Sequence, residues 1–167
     1  MVKELPDRSK IDDKNKWKLE DIYNNDQDWE QDFKDVKKML SRVDNYKGEL
    51  VSSAENLQKG LDLIMDIEEI VARLYAYAHM RMDENTSNQT YQALHNRAQS
   101  LSNEVNSVTS FMVPEIVQIS KSKVEEFMEK NSKLKLYKHL LDNILRQKEH
   151  YLSAKEEKIL AMAGDIT

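Results

Sequence analysis

Four histidines, His79, His95, His139 and His150, are the residues most able to bind a metal or move a proton near neutral pH. No two are four apart, so no helix here offers two imidazoles to one zinc ion. His79 and Asp83 share a helical face, and His139 and Asp142 are spaced for a similar pair. Such spacings more often signal surface pairs than ligand sets. The acidic neighbours Glu68-Glu69 and Glu125-Glu126 point to different faces of a helix and read as solvated charge. There is no cysteine, no G-x-S-x-G turn and no glycine-rich phosphate loop. Disulfides, thiolate metal sites and cysteine nucleophiles are therefore excluded. In "LYAYAHMRMD" (74–83), Tyr75, Tyr77 and Arg81 put polar tips on an otherwise apolar run, with Tyr77 and Arg81 one turn apart. A buried tyrosine needs a hydrogen-bond partner. These tips either line a groove or contact another domain, or, more simply, pack in the core with satisfied hydroxyls.

"DENTSN" (83–88) invites two chemical readings and one architectural one. Asp83, Asn85 and Ser87 match positions 1, 3 and 5 of a calcium loop. However, Asn88 stands where the sharp turn needs glycine, and Leu94 where a bidentate glutamate belongs. Asn85-Thr-Ser and Asn88-Gln-Thr match the glycosylation acceptor pattern, yet no secretory leader precedes them. The better reading is a corner between helices, with Thr86 as N-cap and Gln89 reaching back to it.

The elements around that corner are helical. Three glycines and two prolines are too few for a hairpin-rich fold, and 40% hydrophobic with 33% charged residues suits long amphipathic helices. Residues 1–25 read as an extended arm that docks through Trp17, Leu19, Ile22 and Tyr23. Residues 26–113 read as a long-helix bundle. Trp29, Phe33, Val36, Leu40 and Val43 mark a first helix over about 26–43, N-capped by Asp26. Leu57, Leu61, Ile64, Ile67, Val71, Leu74 and Ala78 mark a second, from near Ser53 to about Met82. Tyr91, Leu94, Ala98, Leu101, Val105, Val108 and Met112 mark a third, ended by Pro114. The last two would each be roughly 40 Å long and lie antiparallel as a hairpin. Residues 114–167 read as shorter helices, one with Val124, Phe127 and Met128, the next with Leu134, Tyr137, Leu141, Ile144 and Leu145. "SAKE" (153–156) is a capping box that opens a last helix, stopped by Gly164.

A net charge of −5 argues against nucleic acid as a partner. Lys121, Lys123, Lys130, Lys133, Lys135 and Lys138 form a local cluster, but Glu125, Glu126 and Glu129 interleave it, as on a solvated helix face. No apolar run approaches the ~20 residues that span a bilayer. A cytoplasmic location, away from membranes, is the expectation.

Four segments in order resemble oligoendopeptidase F: "WKLEDIYNNDQDWEQDF" (17–33), "LYAYAHMRMDENTSNQTYQALHNRAQSLSNE" (74–104), "FMVPEIVQI" (111–119) and "LYKHLLDNILRQKEHYLSAKEEKILA" (136–161). The resemblance covers almost the whole chain. It implies an all-α fold, with a long antiparallel helical hairpin plus shorter helices, as an N-terminal piece of a larger channel-forming helical peptidase. It further implies a zinc metalloendopeptidase of short peptides as the full-length parent. The zinc would sit on a His-Glu-x-x-His helix with a further glutamate ligand. That motif is absent from these 167 residues. This chain alone would thus hold no catalytic residue, no zinc ligand and no cofactor. Its partner would be the downstream catalytic domain, with oligopeptides as substrates of the whole. Tyr75, Tyr77, Arg81 and Arg97 are the candidate channel or interdomain contacts. A severed piece would expose an apolar face and could dimerise through it. The competing reading is a free-standing helical coiled-coil scaffold or adaptor built on the 53–112 hairpin.

Overall fold

The computed structural model describes residues 10–150, without side chains for Glu149 and His150. The "SAKE" capping box and Gly164 lie outside the described residues. Among those described there are six α-helices, with 3-10 turns between α1 and α2 and between α5 and α6. They are α1 (Asp26–Val43), α2 (Ala54–Glu84), α3 (Gln89–Thr109), α4 (Met112–Gln118), α5 (Lys121–Lys130) and α6 (Lys138–Arg146). No strand occurs among the described residues, as the scarcity of turn residues led one to expect.

Four of the six helices begin where a side chain takes up orphan N–H groups, while α4 and α6 start without a side-chain cap. Asn25 caps α1, its Oδ1 accepting from the N–H of Gln27 at 2.8 Å and of Asp28 at 2.9 Å. The expected cap, Asp26, is instead the first helical residue. Ser53 caps α2 by accepting from Asn56 N–H at 3.1 Å, and Ser120 caps α5 by accepting from Lys123 N–H at 3.1 Å. At the 84–89 corner the cap is Asn88, not Thr86. Its Oδ1 accepts from the N–H of Thr90 at 2.9 Å and of Tyr91 at 3.3 Å. Asn85 makes a similar turn to Ser87 N–H at 3.1 Å. Asparagine's short amide reaches the backbone two residues on, so each Asn outcompetes the neighbouring threonine.

The expected third helix is shorter than its stripe. It ends at Thr109, and Pro114 lies in the first turn of α4 rather than at the end of α3. Proline there needs no intrahelical N–H, but its ring would clash with the carbonyl four residues back, at Ser110. The break falls at Ser110 and Phe111 for that reason. At 1.5 Å per residue, α2 with 31 residues spans about 46 Å and α3 with 21 about 32 Å, rather than the equal lengths the stripes suggested.

The contacts group the chain into two compact units. The first comprises, of the described residues, 10–42 and 64–108. In it α2 and α3 run antiparallel, since Arg81 lies over Tyr91 while Tyr75 and His79 meet His95. Its core is Trp29, Val36, Leu40, Ile64, Ile67, Leu74, Ala98 and Leu101, with Leu19 and Tyr23 docked from the preceding arm. Trp17 stays half exposed. Trp29 is fully buried, and its indole N–H donates to the Leu74 carbonyl at 2.9 Å.

The second unit comprises, of the described residues, 43–63 and 109–150. Its core is almost wholly apolar: Leu50, Leu57, Leu61, Ile116, Val124, Phe127, Leu134, Leu141 and Ile144. Gly48 turns the chain with a φ of 83°, in the left-handed region that glycine tolerates. Glu115 of α4 fixes that loop, accepting from Gly48 N–H at 2.6 Å and Leu50 N–H at 3.2 Å.

Candidate functional site

The densest polar cluster lies in the first unit, where the arm and the start of α1 meet α2. Tyr77 comes from the buried face of α2, and its hydroxyl donates to Asp26 Oδ1 at 2.7 Å. Asp26 is available for this because Asn25 has taken over the capping role. Arg81, one turn on, has Nη2 at 3.5 Å from the same oxygen and Nη1 at 3.6 Å from Glu84 Oε2. Its guanidinium lies over the Tyr91 ring, 4.5 Å from the centroid. Glu84 is deeply sunk, its side chain only 4% exposed. Tyr23 packs edge-on against Tyr77 at 5.5 Å and donates to Asp32 Oδ2 at 2.8 Å. Arg73 stands 3.7 Å from that carboxylate. Two Tyr–Asp–Arg sets thus tie α1 to α2. Between them opens a cleft of about 290 Å³ lined by Tyr23, Asn25, Asp26, Tyr77, Arg81 and Glu84, among others.

The electrostatics follow from burial and pairing. Burial, then the hydrogen bond to Asp26, raises the Tyr77 phenol well above its ordinary range, and burial with Asp32 does the same to Tyr23. Both phenols therefore act as donors. Burial opposes the charge on Arg81, but Tyr77, Asp26, Tyr91 and Glu84 together outweigh it and raise its pKa.

Arg97, on α3, occupies a separate place in the same unit. Its guanidinium makes a two-pronged pair with Glu30, through Nη1 to Oε1 and through Nη2 to Oε2 at 2.9 Å. It also covers the faces of Phe33 at 4.6 Å and Trp29 at 5.1 Å. Hydrogen bonding to Glu30 raises the Arg97 pKa, and the same bond lowers that of Glu30. Tyr75 stands apart from both clusters. It stacks on His79 at 5.8 Å and lies 5.4 Å from His95. The structure therefore brings Tyr77 and Arg81 together and leaves Tyr75 and Arg97 each in its own surroundings.

Local patterns did not point to Asp26, Glu84 or Tyr23 as members of the cluster. Tyr77 finds Asp26 at a separation of 51 residues, which no helical periodicity encodes. The one available signal was "YNND" (23–26), a dense polar stretch ahead of an apolar stripe.

His79 and Asp83 pair as their spacing suggested, at 3.5 Å. His139 does not pair with Asp142: it meets Asn143 at 3.0 Å, while Asp142 takes Lys138. In the lysine cluster, Lys123 and Lys130 both pair with Glu126. Among the described residues no three or more His, Cys, Asp or Glu side chains converge so as to hold a metal ion. No helix among the described residues is long and apolar enough to cross a membrane.

The described residues form an all-helical domain with antiparallel neighbours. Comparison with known proteins says which. Residues 115–167 match the family model described as Oligopeptidase F. The chain is 39% identical to Oligopeptidase PepF of Bacillus subtilis (strain 168) over 163 residues, 98% of this chain and 24% of that protein. It is 36% identical to the plasmid-encoded Oligoendopeptidase F of Lactococcus lactis subsp. cremoris over 160 residues, 95% of this chain and 27% of that protein. The crystal structure of oligoendopeptidase-F from Enterococcus faecium superposes with a TM-score of 0.72 at 31% identity, covering 85% of this chain and 28% of that one. The chain belongs to the oligoendopeptidase F family and corresponds to its N-terminal region. It spans about a quarter of the length of the curated relatives it matches.

Proposed function

We propose that this chain is the N-terminal helical domain of a zinc metalloendopeptidase that hydrolyses short peptides, and that it forms part of the wall of the substrate channel. The supporting observation is the match to Oligopeptidase PepF over 98% of the chain at 39% identity. Zinc and the groups that use it belong to the remainder of the polypeptide, which is the domain's partner. Tyr75, Tyr77, Arg81 and Arg97 are the candidate contacts to the channel or to that remainder. Leu136, 82% exposed, adds an apolar point for such docking, or for a dimer when the remainder is missing.

The test is an assay of the full reading frame that encodes this chain, on an internally quenched oligopeptide. The expected result is cleavage by the complete product, loss on chelation and return with zinc, with no cleavage by residues 1–167 alone. A folded, zinc-supplied complete product that leaves a broad peptide panel intact would sink the proposal and turn attention to a scaffold role. Alanine at each of the four candidate contacts, with unchanged activity and stability, would remove their assignment.

A further inference from the structure

We infer that the cleft around Arg81 is a binding site for a peptide amide group. The inference takes peptides as the occupants from the functional reading above, and the rest of it stands on the geometry. Arg81 Nε is buried without a hydrogen-bond partner. Its two other nitrogens stand at 3.5 and 3.6 Å from Asp26 and Glu84, at the outer edge of hydrogen bonding. A guanidinium carries five donors, and this one, flattened over Tyr91, has donors to spare beside a cleft of about 290 Å³. Asp26, whose Oδ1 serves Tyr77 and Arg81, is a carboxylate lining the same cleft.

The charge balance selects the ligand. Arg81 faces Asp26, Glu84 and Glu20 around the cleft, so a carboxylate or phosphate meets more negative than positive charge. A free cation meets Arg81. A neutral group that both accepts and donates suffers neither penalty. A peptide amide has that character: its carbonyl accepts from Arg81, and its N–H donates to Asp26. The cleft is about the size of one or two residues, at the small end for ligand sites.

The test uses N-acetylglycine N-methylamide, a blocked diamide, added to the chain while the Arg81 Nε–H and Asn25–Asp26 amide resonances are followed by NMR. A probe of this size should bind weakly, with half-saturation on the order of 10 mM. The expected result is a saturable shift at those resonances that neither acetate nor methylammonium produces and that Arg81→Lys abolishes. No saturable shift in the wild-type chain means the cleft holds only water, and the inference is overturned. An equal response to acetate also overturns it, by making this a general anion site. Binding is read here without catalysis, so it can fail while the complete product still cleaves peptides, and the reverse.

Discussion

The two units of this chain solve the same problem, burying one face of α2, by different chemistry. The first uses a few large amphipathic side chains. Trp29, Tyr23 and Tyr77 are buried, and each sends its polar atom to a specific acceptor: the Leu74 carbonyl, Asp32 and Asp26. The second uses many aliphatic side chains, from Leu50 to Ile144. Polar anchors fix one geometry because each bond has one partner, whereas an aliphatic core tolerates repacking. The first unit should therefore lose more from a single truncation, and the second should share the loss among neighbours.

Trp29→Ala is the sharpest test and the largest expected effect. It removes a fully buried indole and leaves the space under Phe33 and Arg97 unfilled. The cost should be about 3–5 kcal/mol by chemical denaturation. Leu141→Ala, in the second unit, should cost about 2–5 kcal/mol, nearer the low end if the aliphatic core collapses into the space. Equal losses would break the contrast.

Next comes Glu115→Ala, because the apolar unit has its own polar anchor. It deprives Gly48 and Leu50 N–H of a charged acceptor. The expected loss is about 2 kcal/mol, moderated because Gly48 reaches solvent. Glu115→Gln should recover part of it. If both variants match the native chain, the loop is held by packing alone.

Gly60→Ala should follow, at about 1 kcal/mol. Alanine favours a helix interior by about 1 kcal/mol. Yet a Cβ at this position would stand 2.4 Å from Leu50 Cδ1 and 3.2 Å from Tyr46 Cδ1. Leu50 is fully buried, so overpacking of about 1–3 kcal/mol outweighs the propensity. A rise in thermal midpoint would show instead that this core repacks freely.

How much of this was readable in the sequence depended on whether the interaction was local. The stripe from Trp29 to Val43 placed α1 at its observed bounds, and Ser53 marked the start of α2, because both signals are repeated or adjacent in the chain. The Asn25 and Asn88 caps were misassigned by one and two residues: Asp, Thr and Asn are all acceptable caps, and geometry alone chooses among them. Tyr77 and Arg81 were legible as polar tips needing partners, but Asp26 was not legible as that partner. The same holds for Arg97 and Glu30, whose separation of 67 residues leaves no local trace. Gly60 lies inside α2, with no local mark of its neighbour. Only the fold reveals that Leu50 occupies the space a side chain would need.

The smallest predicted effect tests whether the first unit's polar anchoring extends to its surface. Arg97 holds the Glu30 carboxyl below its ordinary pKa. A depressed acid pKa stabilises the fold above the unfolded value, near 4.3, and that contribution is lost as pH falls through the folded value. The pair is partly exposed, with side chains 43% and 36% accessible, so its worth should lie within about 1 kcal/mol. Denaturation midpoints should be nearly flat from pH 7 to about 5 for this pair and fall below that. Arg97→Ala should reduce the acid slope and also lower stability at pH 7, because the guanidinium covers Phe33 and Trp29. Arg97→Met should separate the two effects, keeping much of the cover and removing the charge. If Arg97→Met and the native chain lose stability in parallel between pH 5 and 3, the pair contributes only cover, and the anchoring of this unit is confined to its buried tryptophan and tyrosines.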